Sequence, residues 1–249
     1  MGEKKEMNVY LYVIMITSVT ALVLSLLYTS LDPIFQANKA EAKKAAILSC
    51  IPDSTLDLTN KEQVAAAYAD VKMYAVNIAG DVYSDTEEDL AKINALAING
   101  AKKYGTLAEL ELANEEKKAE KDRVYPVYER NGTYVVAIRG NGLWDKIWGY
   151  IALENDLNTI AGVYFDHKNE TPGLGAEIKD SDKFKQQFIG KKIFEGNNVA
   201  LTVLKRFKKG EHYVTGISGA TITCDGVTGM FAKGMSKYET YFEALKDKK

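Results

Sequence analysis

The sequence predicts an α+β protein in which an N-terminal transmembrane helix is followed by one globular domain, an antiparallel or mixed sheet flanked by helices. Three observations lead to this prediction. A long uncharged apolar stretch lies near the N-terminus, alternating strand-like segments fill the second half, and a periodic apolar stripe marks the C-terminal end. The composition, 46% hydrophobic and 27% charged with 4 prolines, is that of a folded chain.

The membrane-spanning segment is predicted over residues 9–28, after an N-terminal tail of residues 1–8. The segment carries no charge, and about twenty helical residues span roughly 30 Å, the thickness of the hydrocarbon core of a bilayer. A cleaved signal peptide is the alternative, but the apolar run exceeds a usual signal core and no small-residue cleavage site follows it. Basic residues flank both ends, so charge alone does not decide the orientation.

A juxtamembrane helix is predicted within residues 29–52. Asp32-Pro33 is expected to end the first helix, and an amphipathic helix follows over residues 36–51, with Ala42 and Leu48 facing inward. Two more helices are predicted in the next stretch of the chain, one over residues 61–74 and one capped by Ser84 or Asp85.

The globular domain is predicted over residues 53–249, and strand-like alternation begins at residue 124. Strands over 124–129 and 133–139 flank Arg130-Asn131-Gly132, a strong hairpin signal. The other predicted elements are, in chain order, strands over 146–154, 159–166 and 199–206, a short helix beginning at Ser181 or Asp182, and a C-terminal helix over 223–245.

The charge pattern and the rare residue types exclude several functions. The chain has 32 basic and 34 acidic residues, a balance that provides no electrostatic footprint for nucleic acid. Its 2 cysteines and 2 histidines do not provide the ligand spacing of a metal site. The charge-dense run over 107–123 is interpreted as a solvated helix face. A bound organic cofactor is therefore the expected source of any chemistry.

Three glycine-rich segments carry the candidate chemistry, and their sequences are GNGLW (140–144), ETPGLG (170–175) and SGATIT (218–223). The third leads into the C-terminal helix, where free N–H groups and the positive end of the helix dipole favour a phosphate. An ordinary Ser/Thr helix cap is the simpler reading of it. The second segment is either a tight Pro-Gly turn or a loop that binds the edge of a planar ring. Trp144 is either core or a stacking partner for that ring.

The SGAT sequence ending at Thr221 resembles the flavinylation motif of the FMN-binding domain family, and the other two segments occur in that family's order within residues 140–234. The resemblance implies FMN bonded through a phosphoester to Thr221, attached by a separate flavin transferase. One departure is Thr215, which stands where the family usually has Asp or Asn three residues before the motif serine.

The resemblance also implies roles for the surrounding residues. Leu143 and Trp144 would pack beside the ring. Lys205, in a predicted strand shortly before the motif, is either a partner of the phosphate or an ordinary surface lysine. The ring edge would be lined by Glu170, Thr171, Leu174 and Gly175, and the phosphate cradle would be formed by Ser218, Gly219, Ala220, Thr221 and Thr223.

The function implied by the resemblance is that of an electron-carrier subunit, without acid or base catalysis, in a membrane NADH:quinone oxidoreductase that pumps Na⁺. The equivalent subunit of an Rnf-type ferredoxin:NAD oxidoreductase is the near alternative, and an anchored structural subunit without flavin is another. The expected partners are the lipid bilayer and the other membrane subunits of the complex. The expected location is the bacterial inner membrane, with the domain on the periplasmic side.

Overall fold

The structure is a computed structural model that describes residues 9–96 and 102–247. The predicted tail over residues 1–8 lies outside the described residues. The chain forms two compact units, Met1–Lys43 and Lys44–Lys249.

The first unit consists of most of a long helix, α1, which spans Val9–Ser49. Its apolar part is long enough and apolar enough to cross a membrane, and none of that part is buried by the protein. An exposed surface of this kind fits a single-pass anchor. The expected break at Asp32-Pro33 is wrong, because Pro33 lies inside α1. A proline removes one backbone hydrogen bond, and here long helical stretches on both sides of it continue the helix.

The second unit is built on a six-stranded sheet whose spatial order is β2-β1-β3-β4-β5-β6. All neighbouring strands in it are antiparallel, which confirms the predicted α+β class and the predicted hairpin around Asn131-Gly132. The strands of this sheet are β1 (Lys72–Asn77), β2 (Val82–Tyr83), β3 (Val124–Arg130), β4 (Thr133–Asn141), β5 (Lys146–Leu153) and β6 (Ile160–His167).

The remaining elements are short, apart from one helix. The helices are α2 (Lys61–Ala69), α3 (Glu87–Ala95), α4 (Leu112–Glu115), α5 (Glu177–Asp180), α6 (Asp182–Gln186), α7 (Thr221–Met235) and α8 (Glu239–Lys246). The antiparallel pair β7 (Phe194–Glu195) and β8 (Asn198–Val199) and the parallel pair β9 (Thr202–Leu204) and β10 (Tyr213–Thr215) complete the described fold.

One face of the sheet is covered by α6, α7 and α8, which together form the main hydrophobic core. The ring of Phe188 on the α6 side stacks on Phe231 of α7 at 5.6 Å and meets Phe165 of β6 edge-on at 5.2 Å. The predicted C-terminal stripe is buried here, including Val227 and Tyr238. Helix α7 therefore lies fixed across the sheet, with its first turn at the end of β4.

The opposite face of the sheet packs against the end of α1 and against α2. Ile47 and Leu48 are buried there, whereas Ala42 is exposed. The chain passes so close to β6 that a side chain at Gly162 would overlap the carbonyl oxygen of Cys50. Leu48 thus faces inward as predicted, and the expectation for Ala42 is wrong because its position precedes the packed turn of the helix.

Several predicted boundaries differ from the structure because long-range pairing overrides local pattern. The helix predicted over 61–74 ends at Ala69, and the following residues form β1, paired with β3. Thr86, not Ser84 or Asp85, caps α3. The strand predicted over 199–206 is divided between β8 and β9. The C-terminal helix begins at Thr221 and is divided by a 3₁₀ turn over Ser236–Tyr238.

The charge-dense run over 107–123 is not a solvated helix face. It folds into short helical turns, and the side chains of Glu115 and Lys118 are buried as an ion pair with 2.9 Å between Nζ and Oε1. The Glu115 carboxylate also accepts hydrogen bonds from the Tyr104 hydroxyl (2.8 Å) and the Val124 amide (2.9 Å). Burial is tolerated because the carboxylate is fully paired.

Candidate cofactor site

The first turn of α7 presents an open anion cradle. Thr221 is the first residue of this 15-residue helix, and no described side chain caps its N-terminus. The preceding Gly219 adopts φ = +81°, a left-handed conformation that favours glycine. Ser218, Gly219 and Thr221 are exposed, and Ala220 is buried. The free N–H groups and the positive end of the helix dipole therefore face solvent beside the Thr221 hydroxyl.

The two threonines of the segment have different environments. Thr221 is exposed, whereas Thr223 is 1% exposed and donates a 2.6 Å hydrogen bond from Oγ1 to Oε2 of Glu170. A hydroxyl that must react with a bulky cofactor has to be accessible. Of the two hydroxyls, the one of Thr221 is therefore accessible from solvent and the one of Thr223 is not.

Glu170 joins the three glycine-rich segments. Its side chain is buried, and while Oε2 accepts from Thr223, Oε1 accepts the backbone N–H of Trp144 at 3.0 Å. A Cβ at either Gly142 or Gly175 would overlap these carboxylate oxygens, so the close approach of both loops requires glycine. Within residues 9–96 and 102–247, no cation forms an ion pair with this carboxylate. Glu170 is thus directed at the protein rather than at open solvent.

An exposed apolar surface lies beside the cradle. Trp144 is 68% exposed, and its indole Nε1 donates to the Thr171 hydroxyl at 3.1 Å. Leu143 and Leu174 are also exposed, and Leu174 lies so close to Gly219 that a Cβ at that glycine would be 2.7 Å from it. Residues from all three segments therefore lie together. A planar aromatic ring could cover this surface while its phosphate occupies the helix N-terminus.

Two residues singled out in the sequence lie apart from this cluster. Lys205 is exposed at the start of the β9–β10 loop, and the structure shows it in no hydrogen bond or ion pair with the described residues of the cradle. The backbone N–H and carbonyl of Thr215 each form a 3.1 Å hydrogen bond with the side-chain amide of Gln187, and these bonds hold the strand that leads to the motif. Thr215 thus stabilises the approach to the cradle through its main chain.

Three supporting residues were not identified in the sequence. Sγ of Cys224 accepts the N–H of Ile217 at 3.2 Å, and burial raises the pKa of its thiol. His167 Nδ1 accepts the N–H of Glu170 at 3.1 Å. Asp145 pairs with Lys168 at 2.9 Å, a contact that lowers the pKa of the Asp145 carboxyl. Only Cys224 had a usable signal, since it lies one turn before the buried Val227 on the same helix face.

The described part of the chain contains no group of three or more His, Cys, Asp or Glu side chains able to hold a metal ion. The donors of the cluster are backbone N–H groups, hydroxyls and one buried carboxylate, with apolar side chains beside them. This set fits a phosphorylated aromatic cofactor such as FMN.

Comparisons with known proteins agree with this geometry. The FMN-binding domain family matches residues 142–236, a range that includes almost all of the three glycine-rich segments. The fold and this match together define the chain as a protein with an FMN-binding domain.

The chain is similar to C subunits of the Na⁺-translocating NADH-quinone reductase. The one from Haemophilus ducreyi is 35% identical over 197 residues, covering 75% of this chain and 75% of that protein. The one from Neisseria meningitidis serogroup B is 32% identical over 227 residues, covering 87% and 85%. The chain belongs to this family of reductase C subunits.

Solved structures show the same fold. The crystal structure of the reductase C subunit from Parabacteroides distasonis has a TM-score of 0.68 and 29% identity, covering 85% of this chain and 96% of that chain. The structure from Shewanella oneidensis has a TM-score of 0.64 and 26% identity, covering 85% and 99%. The α+β fold and the recognised family are thereby confirmed.

Proposed function

We propose that this chain carries FMN in a phosphoester bond to Thr221 and relays electrons as a subunit of a membrane NADH:quinone reductase that translocates Na⁺. The observation that carries the proposal is the exposed Thr221 hydroxyl at the uncapped start of α7, beside two other segments held in place by Glu170. The names of the relatives support the reductase, and the apolar part of α1 supports attachment to a membrane.

The chain's own residues have three tasks in this function. The backbone N–H groups at the start of α7 and the hydroxyls of Ser218 and Thr221 bind the phosphate. Leu143, Trp144 and Leu174 cover the ring and exclude water from one of its sides. Thr171 holds the indole of Trp144 in position through the 3.1 Å hydrogen bond. When bound, FMN supplies one- or two-electron chemistry, so the protein needs no general acid or base.

The wider setting follows from the same proposal. The domain lies on the periplasmic side of the bacterial inner membrane, and a flavin transferase attaches the cofactor during maturation. The other membrane subunits of the reductase provide the electron donor and acceptor. A covalent tether prevents loss of the cofactor, which noncovalent binding at an open, solvent-facing cradle would not ensure. Lys205 adds positive charge near the approach to the cradle.

The test is the intact mass of the native chain and of three variants. We expect the native chain to exceed the sequence mass by one phosphoester-linked FMN. Thr221→Ala should abolish this increment, whereas Thr221→Ser retains the hydroxyl and should keep part of it. Thr240→Ala is the matched control, since it removes an exposed threonine hydroxyl on α8, outside the cradle, and should leave the increment in place.

The outcomes separate the proposal from its alternatives. An increment that persists in Thr221→Ala places the bond elsewhere. A native chain that lacks the increment, and is colourless when purified from cells that contain the flavin transferase, would indicate an anchored structural subunit without flavin.

A further inference from the structure

Two segments outside the cofactor cluster form a strongly basic surface. The first is the loop between β9 and β10, where five consecutive residues, Lys205–Lys209, are all exposed and four of them are cationic. The second is Ile189–Lys192, which follows α6 and carries two more lysines. We call these two segments together the basic surface.

Hydrogen bonds hold the two segments side by side. The Lys191 ammonium donates to the carbonyl of Gly210 at 2.7 Å, and the Lys192 amide donates to the carbonyl of Glu211 at 2.9 Å. The ring of His212 lies 2.8 Å from the carbonyl oxygen of Lys192. The residues that follow the basic loop are thus bonded to the second segment, and the cations belong to one surface.

An aromatic side chain projects from the middle of this surface. Phe207 is 80% exposed, more than any other large apolar side chain in the described part of the second unit. Lys208, the next residue, ties the loop to the domain, because its ammonium lies 3.9 Å from the ring centre of Tyr213. Ile189, 55% exposed, adds a second apolar side chain. Apolar side chains here are therefore surrounded by cations rather than packed against the protein.

The charge of the surface is unlike that of the whole chain. The chain as a whole has a net charge of -2, yet the two segments together carry six cations. The nearby Glu211 is paired with Lys192 at 2.8 Å. The potential over this surface is therefore strongly positive, and it attracts a partner with many negative charges.

We propose that the basic surface binds the headgroup layer of a bilayer that contains anionic phospholipids, with Phe207 inserted at the boundary between headgroups and acyl chains. Cations flanking an exposed aromatic ring match that layer, which offers phosphates at its surface and hydrocarbon directly beneath. The same chain has a helix long and apolar enough to cross a membrane, which favours a bilayer as the partner. The proposal requires no flavin.

The test uses the full chain reconstituted in vesicles. Phe207→Cys is labelled with an environment-sensitive fluorophore, and Val82→Cys is the matched control on the opposite edge of the sheet, where Val82 is 53% exposed next to an aspartate. Both native cysteines are buried, which directs the label to the introduced thiol. Quenching by spin-labelled lipids reports whether the label lies in the membrane.

We expect strong quenching of the label at 207 in phosphatidylcholine vesicles that contain phosphatidylglycerol, at low salt. Salt near 1 M should release it, since the screening length is then about 3 Å. In the presence of the label at 207, Arg206→Gln and Lys209→Gln should each lower the ratio of docked to free domain about fivefold. The label at 82 should remain unquenched in every condition.

Three results would overturn the proposal. One is a label at 207 that stays unquenched in the anionic vesicles at low salt. Another is equal quenching in phosphatidylcholine alone, which would remove the role of charge. The third is shielding seen only in membranes that contain the partner subunits, which would identify the surface as a protein interface. None of these results bears on the FMN mass increment, so the two proposals fail separately.

Discussion

Removal of the Glu170 carboxylate tests whether the cofactor cluster is assembled before any cofactor binds. Glu170→Ala takes away the acceptor of the Trp144 N–H at 3.0 Å and of the Thr223 hydroxyl at 2.6 Å. An unsatisfied buried donor costs about 1–3 kcal/mol, and water reaches part of this site, so we expect a total loss of about 2–4 kcal/mol. For a domain of this size, each kcal/mol lowers Tm by about 2–4 °C.

The assay is thermal unfolding of the flavin-free chain in detergent, combined with hydrogen exchange at the Trp144 amide. Glu170→Ala should melt roughly 5–15 °C lower and lose protection at that amide. Glu170→Gln should lie between the alanine variant and the native chain, because its amide oxygen still accepts from Trp144 while its NH₂ donates to the Thr223 oxygen. Glu195→Ala is the matched control at an exposed glutamate, with an expected change within about 0.5 kcal/mol.

A structural role alone would also lower Tm, so the flavin-bearing chain provides the second measurement. If Glu170 positions the three segments, its alanine variant should carry less FMN per chain, and the glutamine variant should recover much of that loss. The reasoning is refuted if Glu170→Ala and Glu195→Ala melt alike and leave Trp144 protection unchanged.

Three further predictions concern other parts of the molecule. Trp144→Ala and Thr171→Ala should keep the FMN mass increment but shift the flavin absorption band. They should also change the midpoint potential by a few tens of millivolts, since each lost interaction is worth about 1 kcal/mol. Unchanged spectra and potentials in both variants would mean that the ring lies elsewhere. Lys118→Met should lower the free energy of unfolding, measured by urea denaturation, by about 3–5 kcal/mol, because the buried Glu115 carboxylate then has no cation beside it. A change below about 1 kcal/mol would contradict the burial of this pair. Cys50 and Cys224 should resist iodoacetamide near neutral pH in the folded chain and react on unfolding, since burial raises the pKa of both thiols; rapid alkylation of the native chain would show that either thiol is accessible.

The sequence alone determined the features that depend on local pattern. The apolar run of α1, the hairpin at Asn131-Gly132 and the stripe of α7 follow from periodicity and turn chemistry within a few residues. The three glycine-rich segments are also visible in the sequence, as is the hydroxyl at the start of a helix. These signals were sufficient for the α+β class and the FMN-binding resemblance, because each is contained in one short stretch of chain.

The tertiary structure alone decided how distant residues meet. Glu170 reaches Thr223 across 53 positions and Trp144 across 26, and no local pattern encodes those pairings. The same is true of β1, which a helical pattern masks until the strand pairs with β3. Lys118 and Glu115 are neighbours in a charged run that looks solvated, yet both are buried, because the fold covers them and provides the Tyr104 hydroxyl and the Val124 amide as further partners of the carboxylate. Burial and pairing depend on sheet register and helix packing. Only the tertiary structure therefore shows that Thr223 is buried and Thr221 is exposed.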